Sequence, residues 1–428
     1  MTYQQTVAYL FSQLPMFQAI GAKAFKKDLT NIKRLCAELS QPQNNYPTIH
    51  IAGTNGKGST SHILAAVLQA HGLKVGLYTS PHYRDFRERI KINGQYVSEA
   101  FVIDFVADYH KSWEMIQPSF FEITVAMAFE YFAQQKIDIA VIETGLGGIY
   151  DSTNIITPIL SVITNISFDH QEMLGDNLPQ IAWSKAGIIK PNIPVVIGER
   201  QAEVVSVFES TAKANNAPIY FASDHYKVEK IASTWLTTTY NAYLDNSLKY
   251  EQLQTGLSGT YQQLNLQTSF QAIDLIPTSV CKIEEKQLRF ALEHIKTLTN
   301  FIGRWQMIQE SPLVVCDSAH NEAGIQQSMK ELLSLSYQQL HLVIGVVKDK
   351  DLNKMIPYLP KSATYYFAKA DIPRGLDAEI LRQKAAVFER YGESYPSVAA
   401  AVAAAKANAK QNDIIYIGGS IFVVAEVI

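Results

Sequence analysis

A glycine-dense turn, GTNGKGST at residues 53–60, stands directly between an apolar run and a run with helical spacing, and it narrows the possible folds more than any other feature. Residues 46–52 (YPTIHIA) read as a short buried strand. Residues 59–70 then place apolar side chains on one helical face, and Gly72 sits where a helix stop is expected. Strand, tight turn and helix in that order begin a β-α-β unit. The alternation continues along the chain. Residues 74–79 (KVGLYT), 137–143 (IDIAVIE) and 159–165 (ILSVITN) are near-continuous apolar runs, as in strands covered on both faces.

The chain has 428 residues, enough for two or three domains, and 47% of them are hydrophobic. Residues 203–278 are polar and aromatic and hard to place, although 235–250 suits antiparallel strands beside the main sheet. A helical stretch over 284–297 is followed by Asn300, Gly303 and Arg304, which read as a boundary. Beyond it, strands are readable at 313–316, 340–346, 363–367 and 414–417. The expected fold class is α/β. A P-loop mononucleotide-binding domain with a mostly parallel sheet covers residues 1–298, and a smaller Rossmann-like α/β domain covers 299–428.

Several classes are excluded. Net charge is -3, so no basic footprint points to nucleic acid. No apolar run reaches the roughly 18 residues of a membrane span. The Ala-rich stretch 398–405 ends in Lys406 and reads as a buried helix face. The first residues lack a cationic region ahead of their apolar ones, unlike a secretory signal. Cys36, Cys281 and Cys316 are far apart in sequence, which suits the reducing cytoplasm.

A glycine turn ahead of a helix can surround phosphate oxygens with backbone N–H groups. Gly53, Thr54, Asn55, Gly56, Lys57, Gly58, Ser59 and Thr60 are therefore the candidate nucleotide-binding residues. Lys57 would place its charge on the β- and γ-phosphates, and a hydroxyl at Ser59 or Thr60 could face Mg²⁺. The match to the general GxxxxGK[ST] pattern is incomplete, because Ile51 stands where its first Gly belongs and Gly58 where its Ser or Thr belongs.

Together with the motifs that follow, this turn resembles the folylpolyglutamate synthase/dihydrofolate synthase family, relatives of the Mur ligases, over nearly the whole chain. TSPH at 79–82, followed by Phe86, Glu88 and Arg89, looks like the family's folate-site loop. The resemblance makes Ser80 a magnesium ligand and His82 and Phe86 substrate-binding. Asp85 departs from the Arg common there. FFEIT at 120–124 is similar to a family helix start, giving Glu122 and Thr124 to the substrate, although Glu122 could equally cap the helix. IETGLGGIYDSTN at 142–154 supplies Glu143 as a metal-holding carboxylate at a strand end, with Asp151 beside the substrate. DHQEMLG at 169–175 makes His170 a metal ligand oriented by Asp169. KAGIIK at 185–190 makes Lys185 the lysine that the family carboxylates with CO₂, which requires a neutral amine.

By the same resemblance Asn265, in TYQQLN, contacts the nucleotide, although the residues after it (LQTSF) make a helix there doubtful. Arg304, in GRWQ, reaches the ATP phosphates. Asp317 and His320, in CDSAHNEAG, meet the nucleotide or orient Arg304. Ser318 and Glu322 replace a common Gly and Pro there. Ser420, in GGS, binds substrate. The activity implied is ATP-dependent addition of L-glutamate to the γ-carboxylate of a folate polyglutamate through an acyl phosphate. Bifunctional members also join dihydropteroate to glutamate. Lys57, Glu143, His170 and Lys185 carry the chemistry, with ATP, Mg²⁺ and a carbamoylated Lys185, in a cytoplasmic monomer. The alternative is a Mur-type ligase acting on a UDP-muramyl peptide. It is disfavoured because the phosphate turn begins only 52 residues in.

Overall fold

The computed structural model describes residues 1–13 and 27–428. They form two compact units. The first comprises Met1–Leu257 and Gln262–Asn300, the second Ser258–Tyr261 and Phe301–Ile428. The sequence reading divided the chain between 298 and 299. The units divide after Asn300, and a four-residue segment crosses early into the second unit.

The first unit is built on eight strands: β1 (Thr48–Ala52), β2 (Val75–Tyr78), β3 (Ile90–Ile92), β4 (Gln95–Tyr96), β5 (Ile139–Glu143), β6 (Leu160–Ile163), β7 (Val195–Ile197) and β8 (Ile219–Phe221). Their order is β4-β3-β2-β5-β1-β6-β7-β8. From β2 to β8 neighbours are parallel, and β3 and β4 turn antiparallel at one edge. Every residue of β1, β2, β5, β6 and β7 is buried, which explains their unbroken apolar runs. Register sets Ile51 beside Glu143 and Ala52 beside Ile163, so the carboxyl ends of three central strands finish together. The chain leaves β1 towards β2 on one side and β6 towards β7 on the other. Open α/β sheets hold ligands outside the carboxyl ends at such a reversal.

Helix α1 (Lys57–Ala70) follows β1, and its residues from Ser59 to Leu68 are buried. Helix α2 (Phe120–Gln134) starts with a capping box between Ser119 and Glu122. Helix α3 (Leu178–Ala186) carries Lys185. The hard-to-place middle contains a separate antiparallel sheet of β9 (Tyr226–Ser233), β10 (Thr238–Leu244) and β11 (Ser247–Thr255). Helix α4 (Gln262–Asp274) corrects the doubt about LQTSF. The Thr268 and Ser269 hydroxyls donate to the Leu264 and Asn265 carbonyls at 2.8 and 2.7 Å, so poor helix formers are satisfied within the helix.

The second unit has β12 (Gln306–Gln309), β13 (Leu313–Asp317), β14 (Leu340–Ile344), β15 (Thr364–Ala368), β16 (Gly392–Tyr395) and β17 (Ile414–Gly418), in the order β12-β13-β17-β14-β15-β16. Sequence reasoning missed β12 and β16. Both are edge strands without a fully buried residue, so they lack the apolar signature. The Ala-rich segment is a helix, Val398–Asn408, with Val398, Ala401 and Ala405 buried. All three cysteines are free and buried. Among the described residues no helix is long and apolar enough to cross a membrane.

Candidate functional site

The glycine turn is stitched to the end of β6. The Thr54 N–H donates to the Asn165 carbonyl (2.9 Å) and the Asn55 N–H to Asn165 Oδ1 (3.1 Å). Thr164 Oγ1 donates to the Asn55 carbonyl at 2.6 Å. Gly53 has φ +141°, and a Cβ there would lie 1.9 Å from Thr164 Oγ1. Gly56, at φ +86°, caps α1, and a Cβ would lie 2.1 Å from Asn265 Oδ1. Asn265 therefore sits against the turn. The first-turn N–H groups of α1 have no acceptor within the helix and present partial positive charge to an anion. Lys57 Nζ folds over the turn and donates to the Gly53 and Thr54 carbonyls, each at 3.2 Å. Ser59 is 4% exposed, whereas Thr60 is fully buried and its Oγ1 lacks a hydrogen-bond partner.

Glu143 ends β5, and its carboxylate oxygens lie 3.8 and 3.9 Å from the position of a Cβ on Gly58. Oε2 accepts the Ser80 N–H at 3.1 Å. A buried carboxylate thus stands at the same helix end that would receive phosphate. Two anions at one place repel, and a divalent cation between them resolves the conflict. Magnesium uses one or two protein carboxylates together with phosphate oxygens and water. The donors present fit that pattern. Among the described residues no group of three or more His, Cys, Asp or Glu could hold a metal by itself.

Lys185 Nζ donates to the Gly53 carbonyl at 2.7 Å. Burial, and next the charge of Lys57, bring its pKa down to about 7, against the pull of Asp169 and Asp151. His170 adopts φ +52° and starts a short helix. Its N–H donates to Asp169 Oδ1 at 2.9 Å, while its Nε2 stays 3.8 Å from Asp169 Oδ2, so Asp169 grips the backbone more closely than the ring.

The substrate-loop residues have clear local duties. Glu88 accepts the N–H groups of Tyr83, Arg84 and Asp85 at 2.6, 2.9 and 2.8 Å. Asp85 caps the turn Phe86–Arg89 and pairs with Arg87. His82 stacks on Phe11, centroids 6.0 Å apart, and meets Phe86 edge-on. Phe86 is only 2% exposed and supports the loop from beneath. Glu122 accepts the Ser119 N–H at 2.6 Å and so caps its helix. Thr124 is fully buried between the Phe121 carbonyl and the Tyr78 hydroxyl. Asp151 accepts the Leu146 and Thr153 N–H groups at 2.8 and 3.0 Å and shapes the turn after β5. Asn165 escaped sequence reasoning, although its place right after an apolar strand was a usable signal.

In the second unit Asp317 ends β13 and is 1% exposed. It accepts four bonds, from the Tyr261 hydroxyl (2.8 Å), the Trp305 N–H (2.8 Å), the Ala319 N–H (2.9 Å) and the Ser328 hydroxyl (3.0 Å). That engagement fits the orienting role, since it fixes the backbone next to Arg304. His320 Nδ1 lies 3.0 Å from the Ser318 carbonyl. Ser420 caps the helix Ile421–Ala425.

Two family models match, the Mur ligase middle domain over residues 51–273 and the Mur ligase glutamate ligase domain over 303–421. The chain is 34% identical to the dihydrofolate synthase/folylpolyglutamate synthase of Bacillus subtilis, covering 94% of each protein. It is 34% identical to the folylpolyglutamate synthase of Lacticaseibacillus casei, over 88% of this chain and 87% of that one. It spans only half of a Haloferax volcanii relative described as a probable bifunctional folylpolyglutamate synthase/dihydropteroate synthase, at 32% identity. Among solved structures, Escherichia coli FolC in complex with DHPP and ADP matches with TM-score 0.87 at 27% identity, covering 100% of this chain and 97% of that one. An FPGS-AMPPCP-folate complex matches with TM-score 0.85 at 30% identity, covering 100% and 98%.

Proposed function

The chain belongs to the folylpolyglutamate synthase/dihydrofolate synthase family of the Mur ligase superfamily, and from that premise we propose that it joins L-glutamate to a folate carboxylate at the expense of ATP. The carrying observation is the meeting of Lys57, Lys185 and the Glu143 carboxylate at one glycine turn. The turn holds the phosphates with N–H groups and the Lys57 charge. The γ-carboxylate of the folate attacks the γ-phosphorus, ADP departs, and an acyl phosphate forms. The free amine of L-glutamate adds to that carbonyl, phosphate leaves, and an amide remains. Lysine charge stabilises the oxygens as negative charge builds in the first step. Glu143, Ser80 and His170, with a modified Lys185, would hold Mg²⁺, which when bound neutralises phosphate charge. Arg304, with Asp317 and His320, is the further set that the family resemblance assigns to the nucleotide. The same reading includes dihydropteroate as a second acid, a cytoplasmic setting and a working monomer.

Lys185 is the position proposed to carry the carbamate. Its neutral amine attacks CO₂, an N–C bond forms, one proton leaves, and a neutral group becomes an anion. The test of the function is product analysis. Incubated with ATP, L-glutamate and tetrahydrofolate or dihydropteroate, the protein should release ADP and phosphate and yield the acid one glutamate heavier. Lys57→Ala should reduce turnover by at least about 100-fold with an unchanged circular dichroism spectrum. Ordinary turnover in that variant, or turnover only with a UDP-muramyl peptide, contradicts the proposal.

A further inference from the structure

Arg89 is a buried cation that makes no close ion pair among the described residues, although the charges of Glu88 and Glu143 reach it from further off. It is 4% exposed, and no described carboxylate forms an ion pair with it. The neighbouring acids are engaged elsewhere. Glu88 holds three backbone N–H groups, Glu143 accepts the Ser80 N–H, Asp85 pairs with Arg87 and Tyr3, Glu122 caps its own helix, and Asp151 shapes the turn after β5. A guanidinium left unpaired in such a place is costly to the fold alone.

The bonds that Arg89 does make go to neutral acceptors. Its Nε donates to His82 Nδ1 at 2.8 Å. That nitrogen is therefore unprotonated, and the ring is the neutral Nε2–H tautomer. Burial, and then Arg89 itself, hold the His82 pKa well below its usual value. The Thr124 hydroxyl donates to the Phe121 carbonyl, so the Tyr78 hydroxyl donates to Thr124 and its oxygen is left to accept from Arg89. The guanidinium carbon lies 5.4 Å from the Phe120 ring centroid. Five N–H donors are present on a guanidinium, and these contacts account for two. Arg89 also adjoins the reaction centre. Its carbonyl accepts the Thr79 N–H at 3.1 Å, and the next residue, Ser80, donates to Glu143.

We propose that Arg89 binds the non-reacting α-carboxylate of the terminal glutamate when the acid substrate carries one, and so favours glutamyl-bearing folates over acids such as dihydropteroate that lack it. The inference rests on the folate-ligase reading above. A planar guanidinium matches a carboxylate in two parallel hydrogen bonds. The reacting γ-carboxylate is the poorer partner, because an arginine bonded to it would stabilise the ground state and weaken the nucleophile. The Phe120 ring and the His82 imidazole pack against the cation and keep most water from it.

The probe pair is tetrahydropteroylglutamate and its analogue with 4-aminobutyrate in place of glutamate, which keeps the reacting carboxylate and lacks the α-carboxylate. Binding of each to the full chain is measured by calorimetry with AMPPCP and magnesium present. The wild type should bind the glutamyl form roughly 10- to 100-fold more tightly. Arg89→Met should erase that preference by weakening the glutamyl form alone. If Arg89→Met does not fold, Arg89→Lys keeps the charge without the fork and should lose part of the preference, again on the glutamyl form only. Equal weakening of both ligands, or of neither, overturns the assignment. A wild-type protein that binds neither ligand defeats the folate reading itself, and this inference with it.

Discussion

Lys185 shows how one side chain can be structural in one charge state and reactive in another. As found, its amine pins the Gly53 carbonyl. With a pKa brought down to about 7, it is largely neutral just above that pH and open to CO₂. Below pH 7 it is protonated and cannot react. Activity that depends on the carbamate should therefore fall as pH drops through about 7, and added bicarbonate should restore part of it on the acid side. Native mass spectrometry should find a gain of one CO₂ on the wild type, absent from Lys185→Met. A folded-state pKa below the unfolded value also means that the unfolded chain binds more protons between about 7 and 10.5. Holding Lys185 in the fold thus costs stability that rising pH relieves. Lys185→Met should accordingly melt a few degrees higher at pH 7 while losing activity. Identities such as Lys57, Glu143 and Lys185 were legible because motifs record residue types at spacings. The partners of Asp151 and Arg89 were not, because a motif does not record where each lone pair or N–H is used.

At the scale of elements, the turn and α1 form one device. Gly56 must hold φ +86° with the place of a Cβ taken by the Asn265 amide. Gly56→Ala strains that backbone by about 1–3 kcal/mol and pushes the Asn265 amide aside. We expect AMPPCP affinity to fall at least about tenfold with the secondary structure retained, as calorimetry and circular dichroism would record. Unchanged affinity would mean that the turn does not carry the phosphates. Strands β1, β2, β5 and β6 were readable because both their faces are buried. The separate sheet was readable only in part, through residues 235–250, and the edge strands β12 and β16 and helix α4 were not. Their burial is one-sided or their hydroxyls satisfy the helix internally, and neither leaves a strong period in the sequence.

The whole molecule is two α/β units with a chain that passes between them at 257/258, 261/262 and 300/301. Sequence reasoning found the last passage to within two residues, because Asn300 and Gly303 punctuate it. The first two escaped, since Ser258–Tyr261 looks like any short loop and joins the second unit only through tertiary bonds such as Tyr261 to Asp317. The account of the molecule comes down to phosphoryl transfer from nucleotide to carboxylate at the turn beside Glu143. The most direct measurement uses tetrahydropteroylglutamate whose γ-carboxylate carries heavy oxygen, with unlabelled ATP and L-glutamate. An acyl phosphate intermediate moves one heavy oxygen into the released inorganic phosphate for each amide formed. Amide formation that leaves the phosphate unlabelled would contradict it.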